Sequence, residues 1–349
     1  MNYSRDWDKM RSEPFFTNRE FAYDAFKYWY AVFGGLNFLL NMYFVIRIFK
    51  TTILHINFRI SVCNTVISLE FMHITLMAGT YYNDLTIHLE NRFYVNIGCA
   101  FLALLNNIAS ASGAISMFML ALERQLAHRW VNVYEDKPRT LGCALGMLVV
   151  IQSTTIGLVA WYFFLFYLED FDVHASRISC IPTHLHWEWE VGGFVLATGS
   201  CLLGAVWFCA LKRNTSRDRR DRLSLRSLSA RYQATENSYT TASIAPSMVM
   251  YTFGAILGMA VGFYRGHLVG IYGENTIMSK FLGDIGFLFV DIYALCHLLC
   301  ILCYNPMIRN AIKKDFDKLI CNGGTRTAAK TDYTHETEIY FEQIKDAWA

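Results

Sequence analysis

Long uncharged apolar stretches alternate with short polar connections along this chain. Seven such runs occur, at about 28–47, 57–79, 97–122, 141–167, 191–211, 243–264 and 284–304. Each approaches or exceeds the ~20 residues a helix needs to cross a ~30 Å hydrocarbon layer. Apolar positions inside the runs are continuous rather than alternating, so each run is a helix and not a strand of a closed barrel. None of the five prolines (Pro14, Pro138, Pro182, Pro246, Pro306) is placed in the middle of a run by these boundaries. The pattern predicts an all-α integral membrane protein, a seven-transmembrane helix bundle.

Composition agrees. Charged residues make up 17% of the 349 residues and the mean hydropathy is +0.25, whereas soluble domains carry about a quarter charged residues. The placement of charge predicts orientation. With the N-terminus outside, 22 of the 31 lysines and arginines fall on the inner side and nine on the outer. The opposite topology would put the basic excess outside. The expected organisation is an extracellular segment 1–27, a bundle 28–304, a membrane-surface amphipathic helix 305–321 and a cytoplasmic tail 322–349. Residues 1–27 interleave charges with aromatics and offer no signal-peptide core, so the first span is expected to direct insertion. Asn2-Tyr3-Ser4 is a glycosylation sequon on the outer side, while Asn214-Thr215-Ser216 falls on the inner side and would be inert. The acid-rich stretch 168–190, with Glu169, Asp170, Asp172, Glu188 and Glu190, reads as an outer loop.

Of ten cysteines, only Cys99 and Cys180 lie at or beyond the outer membrane edge. The oxidising exterior permits a disulfide that would pin the 168–190 loop over the bundle; two free buried thiols are the alternative. His297, Cys300 and Cys303 sit in span seven without an evident fourth ligand, so core packing is favoured there and no metal or cofactor is expected. Ionisable groups inside a membrane face the bundle interior and are functional candidates. Glu70 and His73 share a face of span two, and Asp291 lies in span seven. Asn37 and Asn41 share a face of span one, and Asn106 and Asn107 lie in span three. A polar network joining these spans would satisfy all of them, either as a rearranging element or as fixed interhelical hydrogen bonding. Gly254, Gly258 and Gly262 form a small-residue stripe on span six, read as packing within the bundle or as a dimer face.

Span three ends in Leu122-Glu123-Arg124-Gln125. An acid followed by arginine at that position suits a switch, because Arg124 can hold Glu123 or reach an acceptor on another helix. Removing Arg124 is expected to lower signalling while surface expression persists. The inner loop 212–242 holds eight basic residues against three acidic, which favours anionic lipid heads or an acidic partner as well as anchoring the topology. Beyond Asn305-Pro306, the positions Ile308, Ile312, Phe316 and Leu319 recur at helical spacing among lysines, predicting a helix on the inner membrane surface. Cys321 at its end is a candidate for palmitoylation.

The run Ala121 to Ala127 with Val133-Tyr134-Glu135 resembles the segment after the third helix of nematode serpentine chemoreceptors of the Sra superfamily. Leu228-Ser229-Ala230-Arg231-Tyr232-Gln233-Ala234-Thr235-Glu236-Asn237 is similar to that group's signature before span six, and Tyr304-Asn305-Pro306 to its span-seven ending. The combination most resembles serpentine receptor class epsilon, the Sre family. The resemblance implies a receptor in the plasma membrane of chemosensory neurons that detects chemical cues and signals through heterotrimeric G proteins. It assigns coupling or switching roles to Glu123, Arg124, Tyr134, Glu135, Arg231, Tyr232, Gln233, Glu236, Asn237, Asn305 and Pro306. Departures from rhodopsin-like receptors are the lack of a mid-span proline in spans five to seven and Arg309 in place of a tyrosine after Pro306.

The expected partners are therefore a small-molecule chemical ligand, a heterotrimeric G protein and the lipid bilayer, with dimerisation left open and no role for nucleic acid. The ligand would sit among the outer halves of spans three, five, six and seven. Trp161, Tyr162, Phe163, Phe164, Trp187 and Trp189 are plentiful there, either as ligand contacts or as interfacial anchors. A ligand-gated ion channel would put the N-terminus inside, against the charge distribution. A transporter would show inverted repeats or broken helices, and an enzyme would show clustered catalytic groups; neither pattern is evident.

Overall fold

The structure is a computed structural model and describes residues 20–51, 54–86, 89, 91–130, 134, 140–168, 172–174, 180–221, 228–273 and 276–321. The helices are α1 (Glu20–Lys50), α2 (Ile56–Thr86), α3 (Arg92–Arg129), α4 (Thr140–Tyr162), α5 (Pro182–Leu185), α6 (Trp187–Asp221), α7 (Leu228–Tyr272), α8 (Ile277–Tyr304) and α9 (Pro306–Cys321). Seven of them, α1–α4 and α6–α8, are long and apolar enough to cross a membrane. They are spans one to seven, and the seven-helix expectation holds.

Their outer surface is that of a membrane protein. Leu39, Val206 and Val249 are 64%, 67% and 68% exposed, whereas a soluble monomer does not leave such residues in continuous bands along every helix. The interior instead gathers the polar groups, which must bond to one another in the absence of water. Span three packs against α2, α4, α6 and α7 and forms the centre of the bundle. Close approach of α4 to its neighbours depends on glycine, since a Cβ at Gly157 would lie 2.9 Å from the backbone nitrogen of Ile108. Gly258 and Gly262 face Phe194 and Val191 of α6, so these two glycines serve packing within the bundle.

Several sequence expectations need correction. Helices extend well past the apolar runs: α7 covers 45 residues and α3 covers 38. Pro246 consequently lies inside α7, not at its start, and the Ala242 carbonyl lacks the i+4 donor that a non-proline residue would supply. Within 168–190, α5 and the first turn of α6 are helical, so Glu188 and Glu190 belong to span five and not to a loop. Span four ends in a π-helical turn at Phe163–Leu168.

At one end of the bundle Cys99 and Cys180 form a disulfide, packed with Val95. Ile181, the next residue, joins a buried cluster with Tyr30, Leu76 and Phe287, which ties this segment to spans one, two and seven. At the opposite end Asn305 terminates span seven and its side chain accepts the Ile308 amide at 3.3 Å. Asn305 is thereby the N-cap of α9 and Pro306 its first residue, the position where a missing N–H costs nothing. The bundle unit closes at Ile308. From Arg309 a second unit begins, containing the rest of α9; Cys321 is the last residue of that helix.

Candidate functional site

Arg124 is, with Arg265, one of the two largest fully buried side chains among the described residues. Its Nε and Nη2 donate to the two Glu123 oxygens at 2.5 and 2.6 Å, and its Nη1 donates to Thr240 Oγ1 at 2.9 Å and Asn237 Oδ1 at 3.3 Å. The Phe58 ring of span two lies 4.2 Å from the guanidinium carbon. Glu123 also accepts the Tyr134 hydroxyl, which anchors the connection after span three. Burial and the Glu123 carboxylate push the Tyr134 phenol well above its ordinary value, so it stays a donor. Arg124 thus does hold Glu123 locally, but across to span six it reaches neutral acceptors and not a carboxylate.

Span six supplies those acceptors because its first turns carry polar residues on the inward face. Gln233, Glu236, Asn237, Thr240 and Ser247 are all buried, at spacings of three, four and seven that share one side of a helix. Glu236 accepts the His55 amide at 2.8 Å, clipping the first connecting loop to span six, and Asn237 Nδ2 donates to the Ala127 carbonyl at 3.4 Å. Arg231 and Tyr232 are half-buried on the preceding turn. Glu135 and Asn2 lie outside the described residues, as do residues 322–349, and the side chain of Cys321 is likewise not described.

In the middle of the bundle, Asn41 Nδ2 donates to Asn37 Oδ1 at 3.0 Å and to Glu70 Oε1 at 2.7 Å. Asn37 Nδ2 donates to the Asp291 carbonyl at 3.1 Å, and His73 Nδ1 pairs with Asp291 Oδ2 at 2.8 Å. Spans one, two and seven are therefore joined through polar groups. His73 fits only because Gly34 faces it, since a Cβ there would collide with the imidazole ring. Span three stands partly apart from this network: Asn106 donates to Thr75 at 3.3 Å, and Asn107 instead lines a cavity. Ser247, beside Pro246, meets Tyr293 Oη at 2.9 Å and His297 Nδ1 at 2.6 Å, so His297 is held in a hydrogen-bonded core joint between spans six and seven.

That cavity, about 390 Å³, is bounded by residues of spans two to seven and of α5. Its size falls within the range of small-molecule sites. Phe194, Tyr251, Phe287 and Val290 give it an apolar wall. Of the six aromatics expected near a ligand, Trp189 borders it. Trp161 instead donates to the Ala100 carbonyl at 2.8 Å, and Trp187 packs against Gly266 and Phe263.

Above the cavity, on the disulfide side, lies a charged cluster that the apolar pattern does not reveal. Arg265, fully buried, donates through Nη1 to Glu190 Oε2 at 3.1 Å and through Nε to Ser279 Oγ at 2.8 Å. Asp284 accepts the Tyr23 hydroxyl at 2.7 Å and meets His184 Nε2 at 3.0 Å. The positions of Glu190 and Arg265 one residue outside the apolar runs, and of Asp284 at the edge of one, are the signal that the sequence offers for them. Burial pushes the His184 imidazole below the ordinary value of 6.5, with Asp284 opposing. A histidine depressed in this way binds a proton more readily when unfolded, so stability is complete above about 6.5 and declines as pH falls below it. The thermal midpoint of the purified protein is expected to drop below that pH, by at most about 1.4 kcal/mol per pH unit from this group. His184→Gln, which keeps a nitrogen donor for Asp284, should flatten the drop; an unchanged profile would remove His184 from it.

No curated protein matches the chain. Residues 191–349 match the family model of the Sre G protein-coupled chemoreceptor, the family that the sequence motifs resemble.

Proposed function

We propose that this protein is a chemoreceptor that binds a small chemical cue in the 390 Å³ cavity and signals to a heterotrimeric G protein at the Arg124 end. The N-terminus and the disulfide face the exterior, as the basic excess of the connecting segments requires. The protein works at the plasma membrane of chemosensory neurons. The observation that carries the reading is the Arg124 joint, where one guanidinium ties span three to span six through Asn237 and Thr240. Hydrogen bonds to a charged group are worth about 1.5–3 kcal/mol each. A cue that binds more tightly when spans three and six part can therefore shift the population toward the open arrangement.

In this reading Glu123 keeps Arg124 charged and oriented in both arrangements, and Tyr134, Gln233, Glu236 and Asn237 form the surface that a G protein meets on opening. Arg231 and Tyr232 border that surface, Asn305-Pro306 sets the turn into α9, and Glu135, next to Tyr134 in the sequence, is proposed to share its coupling role. Asn41, Glu70, His73 and Asp291 form the intramembrane polar network, with Asn106 beside it, bonded to Thr75 of span two. Asn2 is proposed as a glycan acceptor and Cys321 as a lipid attachment site beside a membrane-surface helix.

The test uses cells expressing the full chain with an epitope at residue 1 and a second-messenger reporter. Antibody should reach the epitope without permeabilisation, and a panel of volatile and water-soluble compounds should include at least one that elicits a response dependent on a co-expressed Gα subunit. An epitope reachable only after permeabilisation, or currents that persist without any Gα, would sink the reading in favour of a channel.

A further inference from the structure

The cavity is apolar over most of its wall but is bordered by buried polar atoms, two of them acceptor-only oxygens, that have no partner among the described residues. Glu190 borders it and is 5% exposed. Its Oε2 takes Arg265 Nη1 at 3.1 Å, while its Oε1 is buried with no donor among the described residues. Gly286, another cavity residue, explains how Oε1 reaches this place: a Cβ there would collide with it. Asn107 Oδ1 and Thr183 Oγ1 also border the cavity, are 5% exposed as residues, and have no partner among the described residues. A buried acceptor left without a donor is destabilising, the more so when it is charged.

Resting on the receptor reading above, we propose that this cavity takes a small molecule with an apolar body and a hydrogen-bond-donating head, an amine or an alcohol, whose donor satisfies Glu190 Oε1. Two features determine this class. The carboxylate oxygen is acceptor-only, so a ketone or carboxylate head would set lone pairs against lone pairs and leave the desolvated Glu190 oxygen unpaired. The body lies against Phe194, Phe287 and Val290, which offer no polar partner and reward apolar surface. Asn107 Oδ1, on the span-three side, is a second acceptor for a ligand with a donor at each end.

The test is binding to the purified full chain, read as a shift in thermal midpoint, with four probes that share a phenylalkyl body: phenethylamine, phenethyl alcohol, benzylacetone and phenylacetate. Binding so measured needs no G protein, so a midpoint shift without cellular signalling would count against the receptor reading and not against this assignment. The amine and the alcohol are expected to raise the midpoint at concentrations at which benzylacetone and phenylacetate do not. Glu190→Gln keeps a carbonyl oxygen for Arg265 and should weaken the amine by about ten- to a hundredfold. The alcohol should weaken less, because with the amide oxygen on Arg265 the amide NH2 faces the cavity and can donate to a hydroxyl oxygen, whereas an ammonium has no lone pair to accept it; this contrast separates the two sources of the donor. Gly286→Ala, which fills the space at Oε1 without touching the charge, should weaken both and serves if the first variant folds poorly. Equal binding of the acceptor-only probes overturns the assignment. So does failure of both donor probes, or indifference of both to Glu190→Gln and Gly286→Ala.

Discussion

Arg124→Ala is expected to lower both surface expression and signalling, and the first of these departs from what the sequence alone suggests. Read as the last turn of a helix, Arg124 looks partly solvated and dispensable for folding. In the bundle it is fully buried, and so is Glu123, which among the described residues keeps the Tyr134 hydroxyl alone when the guanidinium goes. Removing one partner of a buried ion pair costs about 3–5 kcal/mol because the other charge stays behind. Arg124→Lys should do little better, since a single ammonium cannot span both Glu123 oxygens, reach Asn237 and Thr240, and lie on the Phe58 ring. The double variant Glu123→Gln/Arg124→Gln removes both charges and should recover most of the lost stability, with a coupling of about 2–3 kcal/mol in the double-mutant cycle. It should not recover the response to an agonist found in the screen, because the tether to span six is then a pair of neutral amides. Surface immunolabelling, thermal midpoint and second-messenger output per surface receptor separate these effects. Wild-type expression and output from Arg124→Ala would remove the residue from both roles.

How far such a node is legible in a sequence depends on which coordinate of it is asked for. The existence and order of the spans follow from composition along the chain, because a continuous apolar run has few alternatives in lipid. Isolated polar residues inside those runs, such as Asn41, Glu70 and Asp291, are equally visible, and the physics that makes them expensive brings them together. Partners across helices are not visible, because they depend on the rotation and offset of each helix. Nothing local to Arg124 says that Thr240 will meet it. The true start of span six was hidden for a related reason. Gln233, Glu236, Asn237 and Thr240 end the apolar run as a hydropathy window sees it, yet they are buried on the inward face of the same helix. That misplacement of the boundary also turned Pro246 from an interior residue into an edge residue. Asn107 was grouped with the central network because it adjoins Asn106, although adjacent positions on a helix point about 100° apart.

The same logic explains why Arg265 escaped notice and why Arg265→Ala is expected to be among the most damaging single changes. A lone arginine one residue past the 243–264 run looks like an interfacial anchor that snorkels to water. The helix instead continues to Tyr272, which places Arg265 inside the bundle, bonded to Glu190 and Ser279 and fully buried. Alanine there would strand the Glu190 carboxylate, at a cost of about 3–5 kcal/mol, and expression and thermal midpoint should fall together. Pairing it with Glu190→Leu removes both charges and fills part of the vacated space, so stability should return by several kcal/mol or even exceed the wild type, as apolar replacements of buried pairs can. Stability regained in this way would not restore binding of phenethylamine, because the acceptor Oε1 has gone with the carboxylate. The rescued double variant therefore distinguishes the two roles of Glu190. If it folds and still binds the amine with wild-type affinity, Glu190 is a structural partner of Arg265 alone; if it folds and does not, the carboxylate both holds span six and reads the ligand.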